Sequence, residues 1–72
     1  MIIVKSVEGS NLGGRFILLY ADSKEEVPST GTATVAALAG ERVNKLATGD
    51  VLYTADFDIA VLKSDDTWNW EA

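Results

Sequence analysis

Val51-Leu52-Tyr53-Thr54-Ala55-Asp56-Phe57-Asp58-Ile59-Ala60-Val61-Leu62-Lys63-Ser64-Asp65-Asp66-Thr67-Trp68-Asn69-Trp70-Glu71 is the stretch that decides the fold. Short runs of β-branched, aromatic and aliphatic residues alternate with acidic clusters. Asp favours turns because its side chain accepts hydrogen bonds from nearby backbone amides. The pattern predicts strands at Val51–Ala55, Ile59–Lys63 and Thr67–Glu71, with turns at Asp56–Asp58 and Ser64–Asp66. Three strands so closely spaced form a meander.

Upstream, Ala47-Thr48-Gly49-Asp50 reads as a turn. Before it, Val35, Leu38, Ala39, Val43 and Leu46 fall near helical spacing, with Thr34 placed to cap a helix. Gly40 lies inside that stretch and costs about 1 kcal/mol against Ala in a helix. A short helix ending near Gly40, or an irregular segment, is expected within Thr34–Leu46. Ser23-Lys24-Glu25-Glu26 matches a capping box, but Pro28 limits it to one turn of helix or a loop. At the N-terminus, Ile2–Val7 and Arg15–Ala21 read as a β-hairpin joined by a Glu8–Gly14 loop. The fold class is therefore mainly β (or α+β). It combines a small antiparallel sheet, from an N-terminal hairpin and a C-terminal three-stranded meander, with one short helix or irregular segment between. Strand order does not follow from the pattern.

The 72 residues allow one domain, 1–72. A domain this small buries only roughly 60–65% of the surface its unfolded chain exposes, so its stability margin is thin. Cys and His are both absent, which excludes disulfides and the usual zinc ligands. Tight packing or assembly with other chains remains. The apolar fraction of 47% is that of a folding chain. Met1-Ile2-Ile3-Val4-Lys5 lacks the layout of a signal peptide, and no apolar run approaches the roughly 20 residues of a membrane helix. The expectation is a soluble chain with no membrane partner. The net charge is −5, and Lys5, Arg15, Lys24, Arg42, Lys45 and Lys63 are scattered, so nucleic acid is not expected as a partner. Ordinary solubility accounts for the acidity, and an acidic surface also suits a basic protein face.

Nucleophilic catalysis of the Ser–His–Asp or Cys–His kind needs an imidazole or a thiol, and this chain has neither. Asp56, Asp58, Asp65 and Asp66 sit in turns, where turn formation outweighs acid–base or calcium chemistry. Gly13-Gly14 and Gly31 make no phosphate loop. No enzyme, cofactor or metal is expected.

Side chains alternate faces along a strand. Phe16, Leu18 and Tyr20 oppose Ile17, Leu19 and Ala21, while Ile59 and Val61 oppose Ala60 and Leu62. Both faces are apolar, and a chain this short has little material to cover both. Thr34–Leu46 is expected to cover one face; the second is either left partly exposed or, the favoured reading, covered by another chain. Trp68 and Trp70 share a face, with Asn69 opposite. They either close the core or offer an aromatic patch to a partner or a sugar ring. Trp68 is expected to be the more buried and Trp70 to border a binding surface; if both are core, the interface moves to the outer face of Phe16–Ala21. Candidate interface residues are Trp68, Trp70, Phe16, Leu18, Tyr20, Tyr53 and Phe57.

Two stretches together carry a family resemblance. One is Ala21-Asp22-Ser23-Lys24-Glu25-Glu26-Val27-Pro28, continuing to Leu38. The other is Gly49-Asp50-Val51-Leu52-Tyr53-Thr54-Ala55-Asp56, continuing through Val61-Leu62-Lys63-Ser64-Asp65-Asp66-Thr67-Trp68. The second resembles a pattern in small tailed-bacteriophage virion proteins: a Gly-led strand, a turn, an Ala-Val-Leu strand, an acidic turn and a terminal Trp. Such proteins often carry Gly after the acidic turn, where this chain has Thr67. The resemblance implies a capsid decoration, head-fibre or head–tail accessory role in many copies. It also implies a virion location, with self and a capsid or other virion protein as partners, and it brings no catalytic residues. The alternatives are a cytoplasmic regulator or inhibitor of one host protein, and a small carbohydrate-binding module using Trp68 and Trp70.

Overall fold

A computed structural model describes residues 1–9, 15–39, 43 and 45–71. Five strands form one sheet: β1 (Ile2–Gly9), β2 (Arg15–Ala21), β3 (Val51–Thr54), β4 (Ile59–Leu62) and β5 (Trp68–Glu71), in that spatial order. The hairpin β1–β2 and the meander β3–β4–β5 are antiparallel within themselves. They join through a parallel β2–β3 pair, with Leu18 beside Val51 and Tyr20 beside Tyr53, so the whole sheet is mixed.

A parallel pair of neighbours needs a long crossover, because the chain must return to the end from which it started. Residues 22–50 supply it, through one 3₁₀ turn (Lys24–Glu26) and one short helix, α1 (Gly31–Ala36). The described part of the crossover lies over one face of the sheet. It reaches both sheet edges. Thr30 bridges Thr67 beside β5, and the Trp68 amide donates to the Ser29 carbonyl at 3.4 Å. At the other edge Leu38 bridges Ile2, and the Ala39 amide donates to the Ile2 carbonyl at 3.1 Å. Open edges invite pairing with other chains, and each edge here is partly occupied by the protein's own backbone. On β1 the register also shifts between Val4 and Ser6, which leaves Lys5 as a bulge on the exposed edge.

The core lies between crossover and sheet. Ile17, Leu19 and Ala21 of β2 meet Ile2, Leu52, Ala60, Leu62 and Trp68, with Val43 buried among them. Val4, Val27, Leu38, Leu46 and Trp70 pack around this centre.

The helix begins three residues before the expected cap. Thr30 is the N-cap, accepting from the Ala33 amide at 3.1 Å, and Thr34 is inside the helix. The reason is long-range. Asp66, at positive φ in the β4–β5 turn, accepts from the Gly31 amide through its carbonyl (2.9 Å) and from the Thr32 amide through its carboxylate (3.1 Å). A helix start leaves amides without helical partners, and here Asp66 satisfies those of Gly31 and Thr32 and the Thr30 hydroxyl that of Ala33. The helix also ends early, with Ala37 as C-cap; Gly40 lies outside the described residues. Ser23 makes no side-chain cap, so the capping box is not formed. The Glu26 carboxylate instead pairs with the Met1 ammonium, which Asp22 also holds at 2.9 Å. At the hairpin, Glu8 and Gly9 pair with Phe16 and Arg15, so β1 runs two residues beyond its expected end. Ladder pairing with a fixed β2 overrides the weak strand preference of Gly.

Candidate functional site

Alternation along the five strands divides the sheet residues into two sets. The inner set is the core just described. The outer set forms two rows across the sheet. The first runs Ile3, Tyr20, Tyr53, Ile59, Glu71 from β1 to β5, and the second runs Ser6, Leu18, Val51, Val61, Asn69. No described segment of the chain packs over these rows. Ile3, Leu18, Tyr20, Val51, Tyr53 and Val61 are half-buried by their neighbours in the sheet, and Ile59 is 43% exposed. Tyr20 and Tyr53 meet edge to face, ring centroids 5.2 Å apart, at the middle of the first row. That geometry suits the quadrupoles of two aromatic rings. Desolvation, followed by the nearby Asp22 carboxylate, raises the Tyr20 phenol above its usual pKa, so it remains neutral across the physiological range.

The two strand edges of this face are polar. Lys5 lies at the β1 edge, Asn69 and Glu71 at the β5 edge, and the Asn69 amide donates to the Glu71 carboxylate at 3.0 Å. An apolar centre with aromatic residues inside a polar rim is the anatomy of protein–protein interfaces.

The sequence-derived interface residues fall in three places. Leu18, Tyr20 and Tyr53 come together on the outer face, and the Phe16 side chain lies outside the described residues. Trp68 and Trp70 are on the inner face. Trp68 is buried, and its indole N–H donates to the Thr34 hydroxyl at 2.9 Å; that hydroxyl in turn donates to the Thr30 carbonyl at 2.7 Å. Trp70 is half-buried against the core, with the Lys24 ammonium 5.1 Å above its ring. The two indoles therefore do not present a shared open platform. Phe57 stands alone at the tip of the β3–β4 turn, 83% exposed and at φ 67°. A bulky residue at positive φ is a genuine outlier, held here by the Phe57 amide on the Thr54 carbonyl (2.9 Å).

The carboxylates singled out in the sequence make turns. Asp65 accepts from the Thr67 hydroxyl (2.6 Å) and amide (3.2 Å), and the hydroxyl contact leads in holding its carboxyl below the ordinary value. Asp66 serves α1 as described. Sequence reading missed Asp50, which is buried. Its carboxylate accepts from the Ile17 amide at 3.1 Å and the Ala47 amide at 2.8 Å. It continues the parallel ladder one residue before β3, with a side chain in place of a backbone carbonyl. No local signal marks that role, because Ile17 is 33 positions away. Among the described residues no group of three or more acidic side chains is placed to hold a metal, and no helix is long and apolar enough to cross a membrane. Comparison with protein-family models, curated proteins and solved structures finds no match to this chain.

Proposed function

We propose that this chain is a non-catalytic interaction module that docks the outer face of its sheet against another protein surface and works in several copies. The observation that carries this reading is the pair of rows centred on Tyr20 and Tyr53: apolar, flanked by polar residues at both strand edges, and covered by no described segment, while the described part of the crossover packs on the opposite face. Burial of aromatic residues supplies much of the energy of protein interfaces. The crossover backbone occupies part of each sheet edge, at Ile2 and at Thr67, which favours the face over the edges as the surface for association. The absence of His and Cys, and the engagement of Asp50, Asp65 and Asp66 in backbone hydrogen bonds, support a role without catalysis. The resemblance of Gly49–Asp56 and Val61–Trp68 to small tailed-phage virion proteins gives the reading its finer form. In that form the chain is a capsid-associated accessory component present in many copies on the virion.

Chemical modification of the tyrosines tests the docking face. At a dilution where sedimentation gives the 7.7 kDa monomer, tetranitromethane at mildly alkaline pH is expected to nitrate both Tyr20 and Tyr53, Tyr20 more slowly because its raised pKa leaves less of the reactive phenolate. Strong protection of both rings in that monomeric species would mean the chain covers its own outer face, and would overturn the reading.

A further inference from the structure

The outer face carries a basic residue, Lys5, at its β1 rim and an acidic one, Glu71, at its β5 rim, which makes it complementary in charge to a second copy of itself. β3 is the middle of five strands, so a two-fold axis running along β3 exchanges β1 with β5 and β2 with β4. A second copy laid face to face about that axis sets the β1 rim over the partner's β5 rim. Lys5 then comes over Asn69 and within one row of Glu71, and the symmetry makes this pairing twice.

A second observation selects the same axis. Met1, Phe57 and Ile59 are 70%, 83% and 43% exposed, and they are the exposed large hydrophobic residues of the described chain. All three lie at one end of the sheet, where β1 and β4 begin and β2 and β3 finish. An axis along the strands keeps that end against the same end of the partner. An axis across the strands would instead set it over the opposite end, where Lys63, Ser64 and Asp65 make a polar turn.

We propose that the outer face is closed by a second copy of this chain, giving a two-fold sandwich of two five-stranded sheets. This rests on the docking reading and names its partner. Sheets in such sandwiches lie about 10 Å apart with their side chains interleaved. Five strands at about 4.8 Å spacing make a face about 24 Å wide, and strands of four to eight residues average about 18 Å in length, a footprint of about 400 Å² per copy. The total, roughly 850 Å², is in the range of weak, transient interfaces, which sets the expectation of a dimer in the range of tens of micromolar.

The test is a charge swap across the rim, read by sedimentation equilibrium at physiological ionic strength. The wild type is expected to dimerise in the range of tens of micromolar. Lys5→Glu and Glu71→Lys are each expected to weaken the dimer by about fivefold, because each creates like-charge contacts twice over, and the double variant is expected to recover wild-type affinity. Glu71→Lys separates pairing from overall charge. It lowers the net negative charge of the chain, so simple repulsion between acidic copies would make this variant dimerise more tightly. Both positions are exposed, and circular dichroism with melting checks that the variants fold. A tighter Glu71→Lys dimer, or a double variant no better than the weaker single, would overturn the proposal. A wild type that stays monomeric at hundreds of micromolar would overturn it as well, while leaving the docking face to be judged by the tyrosine modification.

Discussion

Along β3, consecutive residues serve two different surfaces. Leu52 and Thr54 point inward and are buried at 0% and 1% exposure, whereas Val51 and Tyr53 point outward and are only half-buried. The same division holds on β2, with Ile17 and Leu19 inside and Leu18 and Tyr20 outside. The two faces are similar in composition and differ in what lies over them. One carries the crossover of residues 22–50, fastened at both edges, and the other carries nothing from the described chain. Apolar alternation on both faces of so small a sheet thus exceeds what the described chain covers, and the proposed function assigns the remainder to a partner.

The largest expected break in this contrast is on the inner face. Trp68→Ala removes a buried indole and leaves the Thr34 hydroxyl without its donor, at an expected cost of about 3–5 kcal/mol. For a domain of this size that lowers the Tm by well over 10 °C, since each kcal/mol is worth about 4–8 °C. Calorimetry of the variant checks it, and a shift of a few degrees would remove Trp68 from the core. Trp70→Ala lies on the same face but is less buried, so its loss is expected to be smaller and to fall on stability.

Asp50→Ala is next. It strands the Ile17 and Ala47 amides in a buried site, each worth about 1–3 kcal/mol when left unpaired. Hydrogen exchange is expected to show faster exchange at Ile17 in particular, because that amide loses its acceptor. Unchanged protection there would refute the role given to Asp50.

The smallest effect is acidic. Asp65 has a carboxyl held below its ordinary value by Thr67, so its ionised form favours the folded state. The contribution is present above the ordinary carboxylate pKa near 4 and is lost as pH falls through the depressed folded value. The Tm gap between wild type and Asp65→Ala is therefore expected to close below about pH 4. A gap that widens on acidification would contradict the assignment. The side chain is exposed, so the effect stays within a few degrees and leaves the contrast between the faces untouched.

The strands were legible because their signals are local. The runs Arg15–Ala21 and Ile59–Leu62, with Asp-rich turns between meander strands, need only neighbours in sequence to be read. The two apolar faces were legible for the same reason, through alternation. What lay beyond local reading came from partners far along the chain. The parallel join of β2 to β3 depends on the crossover, the true start of α1 depends on Asp66, and the buried carboxylate of Asp50 depends on Ile17. The paired tryptophans were read correctly as sharing a face. That this is the covered face follows only from where α1 lies, with Thr34 against the Trp68 indole.

The most direct measurement of the account compares two neighbours on one strand. Val51→Thr and Leu52→Thr each introduce a hydroxyl, on opposite faces, the second with the loss of one heavy atom as well, and Thr suits a strand at either position. Urea unfolding is followed at a dilution where the chain is monomeric, so that association adds no stability of its own. Val51→Thr is expected to cost less than about 1 kcal/mol, and Leu52→Thr about 2–4 kcal/mol, because only the second opens the core and buries a hydroxyl. Equal losses at the two positions would mean that the outer face is core as well, and would contradict the division on which the function rests.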